Sequence, residues 1–538
     1  MPQAFQVVDL FAGPGGLAEG FSAYRDGDGH QPFNIVLSVE KEASAHRTLL
    51  LRSFLRQFDE GFPPEYYEFL NGDRGYPDWS TLYPEEWANA TEEAVRAELG
   101  TEKGNVAVRR RLAEIRALGA PTVIIGGPPC QAYSLVGRAR NKGKADYVPG
   151  EDKRHFLYQE YIDILSRLRP AAFVMENVKG MLSSSIEGDG IFESVLKDLR
   201  GAAREHGGYE LFAIGSDEFG GMVFQTADAH RDYIVEAEKF GVPQARHRVI
   251  IVGLRRDLAS RIARRRRDAS DAPAPATVRH VLAGMPPLRS GLSSDDADIK
   301  WRTRVSEQMQ KVCMALIASG DQSAAAQVLP VAQAAARQFL AAGAPPSRQV
   351  SGPSPLPEEC PRALREWLAD PLLGSTTHHS SRAHMADDLG RYFFSAVFAQ
   401  VTGRAPKADE FPEDLAPAHA NWSSGIFKDR FRAQPWDGPS TTVTSHISKD
   451  GHYFIHPDAQ QCRSFTVREA ARLQTFPDNY YFLGSRTEQY TQVGNAVPPF
   501  LARQIAAALW NALVAEAAPA STQSPHGQGA FDLTPINL

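Results

Sequence analysis

The sequence predicts an α/β protein: a doubly wound, mainly parallel sheet with helices on both faces, joined to a smaller mixed domain. Three observations carry this expectation. Apolar strand-like runs alternate with helix-like runs over residues 1–255, and such alternation makes parallel strands linked by crossover helices. Glycine- or proline-marked turns follow two of the strand-like runs, 5–11 and 122–125. The alternation stops after Leu254 and the α/β character returns only at Thr466.

In chain order, the strand candidates are 5–11, 33–39, 122–125, 172–175 and 249–253. The helical candidates are 16–24, 44–57, 92–118 and 156–168, and the Glu-, Ala- and Arg-rich stretch 79–118 reads as an inserted helical excursion. Beyond residue 254, the Ala-Pro-Ala-Pro-Ala segment 272–276 is linker-like. Residues 302–342 are Ala- and Gln-rich and read as helical, 344–361 as a Pro/Ser-rich loop, and 376–400 and 421–456 as mixed, with many aromatics, histidines and threonines. A helix-like run at 467–474 precedes a Gly-Asn turn and a final apolar helix at 500–515. The expected organisation is an α/β domain over 1–255, a second, mixed domain with helical insertions over 256–460, a return to the first domain over 461–516, and a disordered Pro/Ser/Gln/Gly-rich tail over 517–538.

A chain of 538 residues with 43% hydrophobic and 23% charged residues is ordinary for a globular protein of two or three domains. No run of about 18 apolar residues suggests a membrane span, and no basic, apolar and small-residue leader suggests secretion. Cys130, Cys313, Cys360 and Cys462 form no Cys-x-x-Cys pair, which argues against structural zinc and a disulfide framework and fits a reducing cytoplasm. The net charge of −6 does not point to nucleic acid, but 241–311 holds 15 basic and 7 acidic residues, including Arg264-Arg265-Arg266-Arg267. That cluster reads either as a solvated helix face or as a phosphate-facing patch.

The chemistry-bearing residues gather at strand ends. Gly126-Gly127-Pro128-Pro129-Cys130-Gln131 puts one thiol on a proline-stiffened loop after a strand, where open α/β sheets place their sites. Asp9-Leu10-Phe11-Ala12-Gly13-Pro14-Gly15-Gly16 is a strand entering a glycine-rich turn, without the Gly-x-Gly-x-x-Gly spacing of dinucleotide sites. Glu40 ends the next strand-like run, where an acid can accept from ribose hydroxyls. Asn71-Gly72-Asp73 is either another ligand turn or an ordinary Asx turn. Glu176 follows a further apolar run. Arg246 and Arg248 share a parity, so on an extended chain both point to one side. His378, His379, His384, Asp387 and Asp388 could suggest a metal site, but the chemistry needs none and no metal is expected.

Phe11-Ala12-Gly13-Pro14-Gly15-Gly16, Pro129-Cys130-Gln131, Glu176-Asn177-Val178, the Gln-x-Arg-x-Arg segment 244–248, Arg472-Leu473-Gln474-Thr475-Phe476-Pro477-Asp478 and Gly494-Asn495-Ala496-Val497-Pro498-Pro499 occur in the order seen in bacterial cytosine-5 DNA methyltransferases of the Dcm type. The chain resembles that family over 1–255 and about 460–515. The resemblance implies a Rossmann-like S-adenosylmethionine-dependent methyltransferase domain and a target-recognition domain. It implies methyl transfer from S-adenosylmethionine, with S-adenosylhomocysteine as product, to carbon 5 of a cytosine flipped out of duplex DNA. Cys130 would add to carbon 6, Glu176 would engage the N3 and amino edge, and Arg248, supported by Arg246, would hold O2. Phe11, Gly13, Gly15, Glu40, Asp73, Pro129, Leu157 and Asn495 would form the cofactor pocket. Gln131 and Ser134 would meet the DNA backbone near the target.

The recognition interval of about 210 residues would supply the base contacts. The candidates are the threonines Thr442 and Thr444 of segment 441–446, with Arg430 and Arg432 for guanine or phosphate. Two positions depart from the usual family pattern: Lys41 follows Glu40 where an aromatic often stacks, and Arg74 follows Asp73. The expected setting is a cytoplasmic restriction–modification or phage-defence system, with a cognate endonuclease or other defence proteins as possible partners and a monomer acting on double-stranded DNA. The competing readings are a transfer-RNA methyltransferase, which would carry a Cys-Phe-Thr signature and a short recognition region, a silent DNA-binding protein, which would not need Cys130 and Glu176, and a dinucleotide oxidoreductase.

Overall fold

Strand β1 (Phe5–Leu10) is apolar except at the half-buried Gln6 and the buried Asp9 and lies inside a nine-stranded sheet. The computed structural model describes residues 4–129, 157–259 apart from 184, 187 and 188, 273–343 apart from 320–322, 346–417, 422 and 429–514. The other sheet strands are β2 (Phe33–Glu40), β3 (Ala94–Arg96), β4 (Thr122–Gly126), β5 (Ala172–Val178), β6 (Tyr209–Ser216), β7 (Met222–Gln225), β8 (Ile234–Glu236) and β9 (His247–Arg255). Their spatial order is β3-β2-β1-β4-β5-β9-β6-β7, with β8 paired to β9. The pairs from β3 to β5 are parallel, and β9 runs antiparallel to both β5 and β6. The chain leaves β1 toward β3, then returns to lay β4 on the other side. This reversal opens a crevice at the carboxyl ends of β1 and β4.

The two faces are filled by alternate residues of each strand. Val7, Ile35, Val123 and Ile125 pack on Leu17 and Phe21 of α1 (Gly16–Ser22) and on Leu501, Ile505 and Leu509 of the C-terminal helix Pro499–Val514. Val8, Leu10, Ile124 and Phe173 pack on Leu112 and Ile115 of the helix Glu102–Ala117 and on Tyr161 and Leu165 of the helix Leu157–Leu168. Burial on both faces explains why β4, Thr-Val-Ile-Ile-Gly, is fully inaccessible along its length and reads as a continuous apolar run.

Several elements differ from the sequence expectation. The helix expected over 92–118 is interrupted by β3, because Ala94, Val95 and Arg96 pair with Ser38, Val39 and Glu40 at the sheet edge. Pairing with an existing strand outweighs the helical propensity of this Ala- and Glu-rich stretch. The helix restarts at Glu102, behind Gly100 at positive φ and the N-cap Thr101, whose hydroxyl accepts from Gly104 N. The excursion is therefore segment 64–93, whose Tyr66, Leu70, Trp79 and Ala90 pack on Leu51, Phe54 and Leu55 of α2 (Ala43–Leu55). Strands β6, β7 and β8, not anticipated at all, extend the sheet.

In the second half, the helices Asp298–Ala318, Ser323–Ala341 and Ala386–Thr402 share a core built from Trp301, Val305, Met309, Phe339, Tyr392 and Val397. Segment 376–400, expected to be mixed, thus contains most of a long buried helix. A further core joins Val281 and Leu364 to Phe465, Leu473, Tyr490 and Phe500, so the returning C-terminal segment is the seam between the two halves. Among the described residues no helix is long and apolar enough to cross a membrane. The Arg264–Arg267 cluster and the tail beyond 517 lie outside the described residues.

Candidate active site

The crevice at the sheet reversal is shaped by the turn after β1. Phe11, Gly13 and Gly15 all have positive φ, a backbone that glycine adopts freely and Phe11 adopts at a cost. The turn is held from two sides. Gly13 N donates to Glu40 Oε2 at 2.8 Å, and Tyr480 Oη donates to Pro14 O. The other Glu40 oxygen accepts from Glu42 N at 2.7 Å. Burial raises the Glu40 carboxyl above its ordinary range, and these backbone N–H groups oppose the shift. A Cβ on Gly13 would meet nothing within 4 Å, so the turn faces open space.

The other expected cofactor residues sit on several neighbouring segments. Asn495 is exposed at the end of the helix α3 (Arg486–Asn495; α1 and α2 as above), and a Cβ on Gly16 would overlap Val497 O, so this segment abuts the start of α1. Leu157 opens its helix against Gly100. Pro129 ends the described part of the nucleophile segment, whose Pro128 O accepts from Asn177 Nδ2 at 3.2 Å. Asp73 is placed differently. It is exposed beyond the helix Pro64–Asn71, whose Asn71 bonds Leu372 O and Gly374 N. The acid that follows the third strand is Glu98, near Lys41 Nζ at 3.5 Å. Sequence reasoning missed it because β3 itself was read as helix.

The second pole is a carboxylate–guanidinium pair. Glu176 on β5 lies opposite Ile250 of β9, and Arg248 opposite Val178. Arg248 Nε stands 3.1 Å from Glu176 Oε1, with both side chains mostly buried. A Cβ on Gly127 would come within 2.9 Å of Glu176 Oε2, so the carboxylate borders the segment leading to Cys130. Burial pulls the Arg248 guanidinium down, and Glu176 pulls it back up. Cys130, Gln131 and Ser134 lie outside the described residues.

Arg246 is near enough to Arg248 and Glu176 for both charges to act on it. A break between Gln244–Ala245 and β9 turns it inward, where it donates to Val443 O at 2.8 Å and Gly494 O at 3.3 Å. Burial and then Arg248 hold its affinity for a proton well below the ordinary value. Arg246 therefore ties backbone segments together behind Arg248.

Gln244, equally buried, accepts from Val443 N at 2.8 Å and donates to Leu473 O and Gln474 Oε1. Gln474 in turn donates to Ala496 O. This amide pair links the arginine strand, the recognition segment and the Asn495 turn. Its only sequence signal was that both glutamines sit inside the motifs.

The expected DNA readers are engaged within the protein. Thr442 Oγ1 donates to Ala245 O at 2.6 Å, Thr444 lies against Gly494, Arg430 pairs with Asp450 at 3.1 Å, and Arg432 pairs with Asp429 near the Tyr453 ring. The histidines considered for a metal are hydrogen-bonded in the core: His378 accepts from Phe482 N, His379 bonds Pro286 O and Thr466, and His384 meets Tyr392 Oη. Asp388 pairs with Arg391.

A doubly wound sheet, a glycine turn braced by an acid at its switch point, and a buried carboxylate–guanidinium pair beside a Pro-Pro-Cys segment together define a Rossmann-like α/β methyltransferase. The model of the C-5 cytosine-specific DNA methylases matches residues 106–511, and the chain belongs to that family. It is 32% identical over 522 residues to the type II methyltransferase M.Bpa9945I of Bacillus paralicheniformis, covering 94% of this chain and 98% of the relative. It is 26% identical to the type II methyltransferase M.AgeI of Thalassovita gelatinovora, over 93% and 98% of the two chains. It is 28% identical to the DNA (cytosine-5-)-methyltransferase M.ApeKI of Aeropyrum pernix, over 72% and 80%.

Proposed function

We propose that this DNA cytosine-5 methyltransferase uses S-adenosylmethionine to methylate a cytosine flipped out of a specific duplex sequence, through a covalent bond between Cys130 and carbon 6. The observation that carries the reading is the Arg248–Glu176 pair set against the Gly127-Pro128-Pro129 segment. Carbon 5 of cytosine is a weak nucleophile. Addition of the Cys130 thiolate to carbon 6 moves electrons toward carbon 5, which then takes the methyl group. Glu176 hydrogen-bonds the N3 and amino edge and supports the proton at N3, while Arg248 holds O2. A base removes the carbon 5 proton, the ring double bond re-forms, and the thiolate leaves.

The pocket suits the donor. The Phe11–Gly15 turn faces open space, and the Glu40 carboxylate stands where ribose hydroxyls can donate to it. When bound, S-adenosylmethionine supplies an electrophilic methyl group. Phe11, Gly13, Gly15, Glu40, Pro129, Leu157 and Asn495 would hold it, with Glu98 in the place first expected of Asp73. The type II names of the relatives support a restriction–modification or phage-defence role; a cognate endonuclease as partner and action as a monomer on DNA belong to the same proposal.

The test is transfer of labelled methyl from S-adenosylmethionine to mixed-sequence duplex, followed by bisulfite sequencing, with Cys130→Ser alongside. Label on cytosine carbon 5 at one sequence, and none with the variant, is the expected result. Label that persists in Cys130→Ser would end the covalent mechanism. Label on transfer RNA alone would end the duplex reading.

A further inference from the structure

Arg348 and Arg486 come together on the surface with too few carboxylates to balance them. Arg486 Nη1 donates to Ser381 O at 3.0 Å, and Arg348 Nη2 donates to the same oxygen at 3.1 Å. Arg486 is exposed and Arg348 partly so. Behind them Arg382, mostly buried, lies over the Tyr490 ring at 4.2 Å and donates to Ile447 O and Lys449 O. The acids nearby are Asp296 and Asp298. Asp296 is shared between Arg348 and Arg289, and Asp298 is paired with Arg289. Arg486 and Arg382 form no ion pair among the described residues. Although Arg486 is exposed as a residue, its guanidinium is half covered, and this partial burial and then Arg382 and Arg348 disfavour its charge, with Tyr490 opposing them. Two guanidinium groups sharing one acceptor leave further N–H donors free, and such forks match phosphate oxygens.

The placement suits a DNA contact. Arg486 is the first residue of α3, and the far end of that helix is the Gly494–Asn495 turn packed on Thr444–Ser445. Ten helical residues span roughly 15 Å, about four phosphates along one strand of a duplex. Arg430 and Arg432 each face a carboxylate, Asp450 and Asp429, as Arg348 faces Asp296, whereas Arg486 faces none among the described residues. We propose that Arg348 and Arg486 form a phosphate-binding site that grips the backbone of duplex DNA beyond the target base. The site rests on the duplex reading above and adds affinity without sequence preference.

The test measures binding of fluorescent duplexes, with and without the target sequence, to the full-length protein across a salt series. Wild type is compared with Arg348→Gln/Arg486→Gln and with the corresponding double lysine variant. The glutamine variant should weaken binding to both duplexes to the same degree and reduce the slope of log affinity on log salt by about one to two, since each phosphate contact contributes about 0.9. The lysine variant should recover most of the slope, and S-adenosylhomocysteine binding should be unchanged in both. An unaltered slope, with or without a fall in melting temperature, overturns the site and leaves the two arginines as a clamp on Ser381. Wild type that binds no duplex at all overturns the duplex reading and this site together.

Discussion

Glu176 and Arg248 show how a single side chain depends on its partner. Removing either leaves a buried charge unpaired, so the informative change keeps shape and loses charge. Glu176→Gln should lower the turnover number by about 10²–10⁴, the usual worth of a positioned acid or base, while S-adenosylhomocysteine affinity, read by calorimetry, stays as in wild type. A matching loss of cofactor affinity would place Glu176 in the wrong role. His379 gives a pH prediction. Its Nε2 donates to Pro286 O at 2.8 Å and its Nδ1 faces the Thr466 hydroxyl at 3.1 Å, so both ring nitrogens are satisfied in the neutral form. Burial pushes it down to about 4. The unfolded chain therefore binds the proton more tightly, and the stability from this site is complete above about pH 6.5 and lost as pH falls toward 4. That amounts to about 3 kcal/mol at most. Urea midpoints from pH 7 to 4.5 should fall less steeply in His379→Gln than in wild type. The motifs made Glu176, Arg248 and Glu40 legible as residues. The backbone partners of Arg246, Val443 O and Gly494 O, were not legible, because they come from distant segments of the chain.

At the scale of elements, sequence reading worked where burial on both faces forces a long apolar run, as in β1, β2, β4 and β5. It failed for β3, three residues long and flanked by helix formers, because only the neighbouring edge of β2 makes those residues a strand. The misreading hid the acid that follows β3, Glu98, whereas Asp73 lies exposed beyond the helix Pro64–Asn71. The contact of α3 with the recognition segment offers an element-scale prediction. A Cβ on Gly494 would overlap the backbone of Thr444 and Ser445, atoms that cannot swing aside as a flexible side chain would. Gly494→Ala should cost about 1–3 kcal/mol, as overpacking does, and should weaken duplex binding because the helix must shift. A denaturation midpoint equal to that of wild type would show that the two segments are not held together as described.

The whole molecule is joined through its returning C-terminal segment. Arg463 and Glu469 form a fully buried pair, Arg468 donates to Thr377, Pro477 and Tyr480, and Arg472 holds Asp478 together with Val281 O and Ser354 O. Glu469 stays well below the usual carboxylate range because Arg463 outweighs its burial. These residues connect the second half of the chain to the sheet, so a ligand at the crevice should stabilise more than the first domain. S-adenosylhomocysteine at 100 times its dissociation constant should raise stability by about 2.7 kcal/mol. The melting shift should vanish in Glu40→Ala at the same concentration. A shift retained in that variant would remove Glu40 from the pocket.

By itself the sequence determined the class of sheet, the strand ends at which Gly13, Glu40 and Pro129 stand, and the strand that carries Glu176. These depend on local apolar runs and turn chemistry, which one chain displays openly. The tertiary structure alone decided that Arg246 faces inward to Val443 and Gly494, that Gln244 and Gln474 bridge three segments, and that Arg348 and Arg486 share the Ser381 carbonyl. Each of these joins residues far apart in the chain, and a buried or shared hydrogen bond is set by which backbones meet, something no local pattern records.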